Sequence, residues 1–324
     1  MAKTEETKMK AVVIHEYGEP DVLKYEDALK PAPADNEILL RVEYASINPF
    51  DWKIRAGYTR KWISLTLPAI LGIDAAGTVE AVGSKVTEFK PGDKAFGKAD
   101  FNKGGSYAEY AILKANQTAK IPAGLKVSEA AALPVTASTA YTALHNIAHV
   151  KKGQKVLVTG ASGGVGQMGV QLAKAAGAYV IGTASGASID TVKSLGADEV
   201  VNYQEGDFSA KVKNVDIAFD TVGSETFERC YSTLRKGGIL VTTAGQPDEK
   251  KAKKLGIRVS GMQASSDTKM LEEIASMAAA GKIKVIIAKE FSLSEAKAAH
   301  EMSQAGHPGG KILLRVGTPY VRRN

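Results

Sequence analysis

The residues with the clearest chemical purpose lie around a glycine turn. Val156-Leu157-Val158-Thr159 runs into Gly160-Ala161-Ser162-Gly163-Gly164-Val165-Gly166, and a helical pattern follows over 167–176. Glycines let the main chain approach a pyrophosphate, whose charge is met by unpaired N–H groups and the positive end of the helix dipole. Val165, Met168, Val170, Leu172 and Ala173 are spaced to face a sheet. Such a turn can also serve only to join a strand tightly to a helix. The neighbouring segment favours the first reading, because residues 178–183 form a second strand just past the helix breaker Gly177. That completes a βαβ unit of about 30 residues.

The end of the second strand discriminates between the nicotinamide cofactors, since a carboxylate there binds the ribose 2′-hydroxyl and repels a 2′-phosphate. This chain reads Thr183-Ala184-Ser185-Gly186-Ala187-Ser188, with no acid before Asp190. The missing carboxylate, the hydroxyls of Ser185 and Ser188 and the charge of Lys193 favour NADPH over NADH. Alternatively, Ser188 caps a helix over 189–195 and Lys193 is merely solvated. That alternative leaves the missing acid unexplained.

Two kinds of texture surround these residues. The first third holds short strand-like runs at 10–15, 37–44, 77–82, 94–96 and 110–113, punctuated by Gly18-Glu19-Pro20, Pro31-Ala32-Pro33 and Pro91-Gly92-Asp93. A small-residue helical stretch covers 129–149. Strands at 156–159, 179–183, 199–202, 215–220, 238–243 and 257–261 then alternate with helices, including 189–195 and 225–234. That alternation is the signature of a parallel sheet covered on both faces, so the fold class is α/β with a nucleotide domain over 124–290. Near the end, a helix over 294–304 precedes a strand over 311–316.

Composition excludes several classes. At 324 residues the chain can form two domains with separate cores. No apolar run is long enough to span a bilayer; residues 130–144 come nearest but contain Thr136, Ser138, Thr139 and Thr142. The polar start, residues 1–7, lacks the apolar core of a secretory signal, which makes the cytoplasm the expected location. One cysteine, Cys230, excludes an internal disulfide and a Cys-rich zinc lobe, and its helical surroundings suit a packing residue. The net charge of +7 would suit an anionic cofactor, a membrane surface or nucleic acid. The run Lys250-Lys251-Ala252-Lys253-Lys254 has adjoining acids and no interleaved aromatics, so it reads as a solvated loop rather than a nucleic-acid platform. Arg322 and Arg323 lie beyond Pro319 in an expected loose tail.

Segments outside the glycine turn carry a resemblance. Residues 45–57, 68–77 and 104–110, then Leu133-Pro134 to Thr139-Ala140, 153–156, 194–198 and 309–313, resemble zinc-free quinone oxidoreductases and enone reductases. These belong to the medium-chain dehydrogenase/reductase superfamily. The resemblance spans essentially the whole chain in order. It implies a GroES-like β-rich catalytic domain of residues 1–123 and 291–324 and a Rossmann doubly wound parallel-sheet domain of residues 124–290. It further implies substrate between the domains and a homodimer. Zinc-dependent relatives have a Cys ligand where this chain has Asn48-Pro49-Phe50 and a Gly-His-Glu where it has Gly72-Ile73-Asp74, so no metal is expected. Cofactor contacts implied by the resemblance are Thr139, Ser162, Gly163, Gly164, Val165, Ser185, Tyr203, Val222 and Gly223, with Lys193 standing in for an arginine that similar proteins often carry near Ala187.

Without a Lewis acid to hold an alkoxide, alcohol–ketone interconversion fits poorly, and reduction of a quinone or an α,β-unsaturated ketone or aldehyde fits better. In the segment 48–58, Lys53 could supply charge or a proton, Tyr58 a hydrogen bond, and Asn48 could orient cofactor or substrate. Asn48 followed by Pro49 and Asp51 also reads as an N-cap, and Lys53 and Tyr58 as an ordinary solvated pair. His145 and His149, at i,i+4, could share one helix face but lack an evident third ligand. Asp220 reads as structural at its strand end. A protein that binds NADPH with little turnover, in a structural or nucleic-acid-binding role, is the competing function.

Overall fold

The computed structural model describes residues 7–262, 265–306 and 308–317. Residues 1–6, Pro319, Arg322 and Arg323 lie outside the described residues. The chain forms two compact units, one of Met1–Val135, Ser266–Ala279 and Val285–Asn324, the other of Thr136–Ser265 and Ala280–Lys284.

The first unit opens with β1 (Lys8–Ile14), β2 (Lys24–Leu29), β3 (Glu37–Ile47), β4 (Ala69–Ile70), β5 (Asp74–Val82), β6 (Lys94–Ala99) and β7 (Tyr110–Lys120). β2, β1 and β4 make a small antiparallel sheet. β3, β5, β6 and β7 close on themselves, because Glu37–Arg41 of β3 pair with β7 while β5 takes the other edge of β3. Ile38, Leu40, Val42, Val79, Ala95 and Leu113 fill the interior. Each large aliphatic side chain buried in this way contributes about 1.5–3 kcal/mol.

The second unit carries β8 (Lys155–Val158), β9 (Tyr179–Ala184), β10 (Glu199–Asn202), β11 (Val215–Asp220), β12 (Leu234–Thr242) and β13 (Arg258–Gly261). All six are parallel, in the order β10-β9-β8-β11-β12-β13. That is the doubly wound order, with its direction reversing between β8 and β11. The helix Gly164–Ala175 buries Met168, Val170, Leu172 and Ala173, as their spacing requires.

The chain then returns to the first unit. β14 (Ile287–Ser292) runs parallel to β15 (Lys311–Arg315), and β15 lies antiparallel against Tyr44–Ile47 at the far end of β3. The first unit therefore also takes in β14 and the helix Thr268–Ala279, whose Thr268 Oγ1 donates to Ala115 O of β7. The helix precedes, and β14 straddles, the boundary at residue 291 drawn from sequence, and residues 124–135 likewise belong to this unit.

Local readings differ from the structure at several points. The lysine run is helical, Glu249–Leu255, because the Asp248 side chain accepts from Lys251 N–H and Gly256 adopts φ 68° just past the end. Ser188 is the first residue of the helix Ser188–Ser194 rather than its cap. The stretch 129–149 is broken into Val127–Ala131, Pro134–Tyr141 and a wider π turn, Thr142–Ile147. Pro134 cannot donate to a preceding turn, which accounts for the first break. His149 lies beyond the last turn with φ 52°, so it does not share a helix face with His145; its Nδ1 is 3.0 Å from His145 O.

Candidate active site

In the second unit the glycine turn leaves the end of β8, the strand at the reversal point of the sheet. Gly160 takes φ 61°, a left-handed conformation that side chains disfavour. A Cβ on Gly166 would lie 2.1 Å from Gly160 O, so this position must be bare for the turn to close onto the helix. The turn is tied to β9, where Gly160 N–H donates to Thr183 Oγ1 and Ala161 N–H to Thr183 O. Ser162, Gly163, Gly164 and Val165 thereby open a helix whose first N–H groups have no acceptor within it.

Three strand ends converge on Asp220. Its carboxylate accepts from Thr159 Oγ1 at 2.7 Å, Thr242 Oγ1 at 2.8 Å and Gly223 N–H at 3.1 Å. Fully buried, it locks β8, β11 and β12 in register and fixes the loop carrying Val222 and Gly223, which is the structural use expected of it. At the end of β9, Ser185 Oγ donates to Tyr203 OH at 2.8 Å, joining two of the expected cofactor residues. Lys193 stands exposed on the helix Ser188–Ser194, and Thr139 is buried on Pro134–Tyr141. Cys230 is buried and its thiol is pushed up in pKa by burial, which suits packing.

In the first unit, the helix Pro49–Arg55 begins at Asn48, and Asp51 in its first turn accepts from Asn48 N–H at 2.8 Å. The Asn48 side chain does not cap the helix. Its Nδ2 donates to Asp74 Oδ2 at 3.0 Å and its Oδ1 accepts from Lys311 Nζ at 2.8 Å. Lys311 Nζ also donates to Ile47 O and lies 3.5 Å from Asp74. Asp74 takes Ser46 Oγ and Val135 N–H as further donors. Asn48, Asp74 and Lys311 are all buried. Burial pulls the Lys311 ammonium down from its ordinary pKa, with Asp74 opposing.

A second string of donors ends on Asp51. Arg55, fully buried, approaches His300 Nδ1 at 3.3 Å, His300 Nε2 lies 3.3 Å from Tyr107 OH, and Tyr107 OH donates to Asp51 Oδ2 at 2.8 Å. Because a guanidinium only donates, Nδ1 must accept, which places the imidazole proton on Nε2 and directs every donor toward the carboxylate. Burial, reinforced by Arg55, holds His300 neutral with its pKa down to about 3. Burial raises Asp51 to about 7, and its other oxygen, Oδ1, has no partner among the described residues.

Lys53 and Tyr58 are exposed and gather around one indole. Lys53 Nζ is 5.7 Å from the Trp52 ring centre, and Tyr58 meets that ring edge-on at 6.1 Å. Asn48, at the start of the same helix, faces the buried cluster instead. Asp74, Lys311, Tyr107 and His300 were not foreseen as site residues. The available signal was an ionisable lysine heading the apolar strand Lys311-Ile312-Leu313-Leu314.

Comparison with known proteins accords with this geometry. Residues 34–123 match the family model described as alcohol dehydrogenase GroES-like domain, and residues 195–314 the one described as zinc-binding dehydrogenase. The quinone oxidoreductase of Homo sapiens is 35% identical over 332 residues, spanning 94% of this chain and 98% of its own. The mitochondrial NAD(P)H oxidoreductase RTN4IP1 of Danio rerio is 30% identical over 356 residues, spanning 96% of this chain and 92% of that protein. The structure of the quinone oxidoreductase from Coxiella burnetii superposes with a TM-score of 0.88 at 33% identity, covering 96% of this chain and 100% of that one. The chain belongs to the quinone oxidoreductase-like family of the medium-chain dehydrogenase/reductase superfamily.

As a medium-chain dehydrogenase/reductase it is an oxidoreductase of a pyridine-nucleotide-binding family. The zinc named in one family description does not fit the residues here. Asn48 and Ile73 are poor zinc donors, and the Lys311 ammonium already lies against Asn48 and Asp74, where a second cation would be repelled. Among the described residues no group of three or more His, Cys, Asp or Glu could hold a metal ion, and no helix is long and apolar enough to cross a membrane.

Proposed function

We propose that this chain reduces quinones, or the conjugated C=C of α,β-unsaturated ketones and aldehydes, using NADPH and no metal ion. The observation that carries the proposal is the glycine turn at the reversal point of a doubly wound parallel sheet, closed so tightly at Gly166 that only a bare backbone fits. When bound, the nicotinamide supplies hydride. The turn Ser162 to Val165 would bind the pyrophosphate through main-chain N–H groups, and the Asp220 junction would hold Val222 and Gly223 beside it. Ser185 and Tyr203, already hydrogen-bonded to each other, present hydroxyls where a carboxylate would repel a 2′-phosphate, and Lys193 offers charge nearby. Lys53 and Tyr58 would serve the acceptor, and Asn48 is held rigidly by Asp74 and Lys311 to orient what meets it. Similar enzymes suggest assembly as a homodimer.

The direct test follows NADPH oxidation against a panel of quinones and alkenals, with NADH and a chelator in parallel arms. Turnover with at least one conjugated acceptor, unchanged by chelator, is expected. Tight NADPH binding with no turnover on any acceptor would overturn the enzyme, and loss of activity with chelator would overturn the metal-free claim. In the same assay Lys53→Ala is expected to lower kcat about tenfold while leaving NADPH affinity unchanged; an unaltered kcat removes Lys53 from the chemistry.

Cofactor choice is tested separately. Ser185→Asp places a carboxylate at the end of β9 and removes the hydroxyl bound to Tyr203. The Kd for NADPH is expected to rise about tenfold or more while that for NADH changes little. Equal changes for both cofactors in a fluorescence titration would show that this strand end does not read the 2′-phosphate.

A further inference from the structure

Two glutamines lie buried behind the glycine turn. Gln167 and Gln171 stand at i,i+4 on the helix Gly164–Ala175, which sets them one above the other on one face, and they are only 2% and 5% exposed. A buried primary amide has to place its donors. Gln167 Nε2 donates to Ser162 O at 2.8 Å. Gln171 Nε2 donates to Gln167 O at 3.2 Å and to Lys284 O at 3.0 Å, and its Oε1 accepts from Lys284 N–H at 2.7 Å. The opposite amide orientation would set an oxygen against two carbonyls, so the partners fix this one.

At the turn, the peptide between Ser162 and Gly163 is thereby held from both sides. Its C=O accepts from Gln167, and its N–H donates to Gly160 O at 2.9 Å. Losing the glutamine frees that plane to rotate, and an oxygen swung among the N–H groups that open the helix would repel a pyrophosphate. At the other end, Lys284 lies outside any helix or strand, and Gln171 takes both of its main-chain groups. Lys284 closes a short strap, Ala280–Lys284, that belongs to the second unit, although the helix Thr268–Ala279 before it and β14 after it belong to the first. One helix therefore fastens both the turn and the strap.

We infer that Gln167 and Gln171 are positioning residues that link nucleotide binding at the glycine turn to the fastening of the strap 280–284. This rests on the reading of the turn as the pyrophosphate site of a pyridine nucleotide. The two-state element is the strap, fastened when Lys284 holds both bonds to Gln171 and released when local opening breaks them. The N–H groups that open the helix restrain the turn further when they hold a pyrophosphate, and the glutamine pair passes that restraint to Lys284. By reciprocity, a change that releases the strap weakens the nucleotide by the same factor.

The test titrates NADPH and NADH by fluorescence. Gln167→Met is expected to raise both Kd values about tenfold, because the pyrophosphate is common to the two cofactors. Gln171→Met should raise both about threefold, and the double variant should fall short of the product of the two, as residues acting in series do. Methionine keeps the volume and removes the donors. Hydrogen exchange of the full chain, read by mass spectrometry over residues 280–287, is the second measurement. Saturating NADP⁺ should slow exchange of the Lys284 N–H about fivefold or more in the wild type. Gln171→Met, saturated at a higher NADP⁺ concentration, should lose that protection, whereas a variant that is merely less stable would keep it. Should a variant fail to fold, exchange in the wild type decides alone. Unchanged Kd values in both variants, or Lys284 exchange indifferent to NADP⁺ in a wild type that binds it, overturns the linkage and leaves the pyrophosphate reading intact. A wild type that binds neither nucleotide overturns the reading of the turn first and the linkage with it.

Discussion

Lys311→Met is expected to destabilise the protein by about 3–5 kcal/mol, the cost of stranding a buried charge. The lysine reaches Asn48, 263 positions away in the chain, and stands between that amide, Ile47 O and Asp74. Methionine fills a similar volume but leaves the Asp74 carboxylate without its cation and Asn48 Oδ1 without its donor, near an Asp51 already raised to about 7 by burial. Denaturant unfolding monitored by fluorescence and circular dichroism measures the loss. Adding Asp74→Asn to Lys311→Met should return more than half of it, because removing both members of a buried pair leaves no uncompensated charge. If Lys311→Met alone matches the wild type, the ammonium is not what holds this cluster together.

Gly166→Ala is expected to weaken NADPH binding about tenfold or more and to reduce stability by about 1–3 kcal/mol. The new Cβ would fall 2.1 Å from Gly160 O and 2.8 Å from the Ala161 Cα, and both neighbours are main chain that cannot swing aside. Relief requires the turn to lift from the helix, which spoils the N–H array offered to the pyrophosphate. Gly163→Ala supplies the graded control, because its Cβ would meet only Gly160 O, at 3.3 Å. It should bind NADPH within about threefold of the wild type. Titration of NADPH fluorescence with each variant, alongside its melting curve, separates lost affinity from lost fold. Equal affinities for the two variants would show that the close approach at Gly166 is not what shapes the phosphate site.

The nucleotide unit was readable because its signals are local. Strand, turn and helix at residues 155–175 are specified by apolar periodicity and by glycines whose need for bare backbone is met within one turn. The strands Glu199–Asn202 and Val215–Asp220 coincide with their expected bounds for the same reason. Local signals that were present but outweighed by charge account for the helix Glu249–Leu255, where Asp248 and Gly256 mark its two ends. β2 and β14 were missed because they are largely exposed on one or both faces, so neither presents the apolar run that marks a strand. The helix Thr268–Ala279 joins the first unit through a contact with β7, far away in the chain.

From its sequence alone this chain is determined as a two-part α/β oxidoreductase of a known superfamily, with a glycine turn between strand and helix at residues 160–166 and no zinc-ligand residues at positions 48 and 73. Periodicity, glycine placement and side-chain type act over a few residues, and they suffice for that much. The partners of those residues were decided only by tertiary structure. Antiparallel pairing of β15 with β3 delivers Lys311 to Asn48, and the pairing of β5 with β6 sets Lys98 across from Asp74. The helix Ala296–Ala305 brings His300 between Arg55 and Tyr107. Charges are exchanged among strands remote in sequence, and their cost or benefit depends on burial and on the nearest counterion, neither of which exists until the barrel closes.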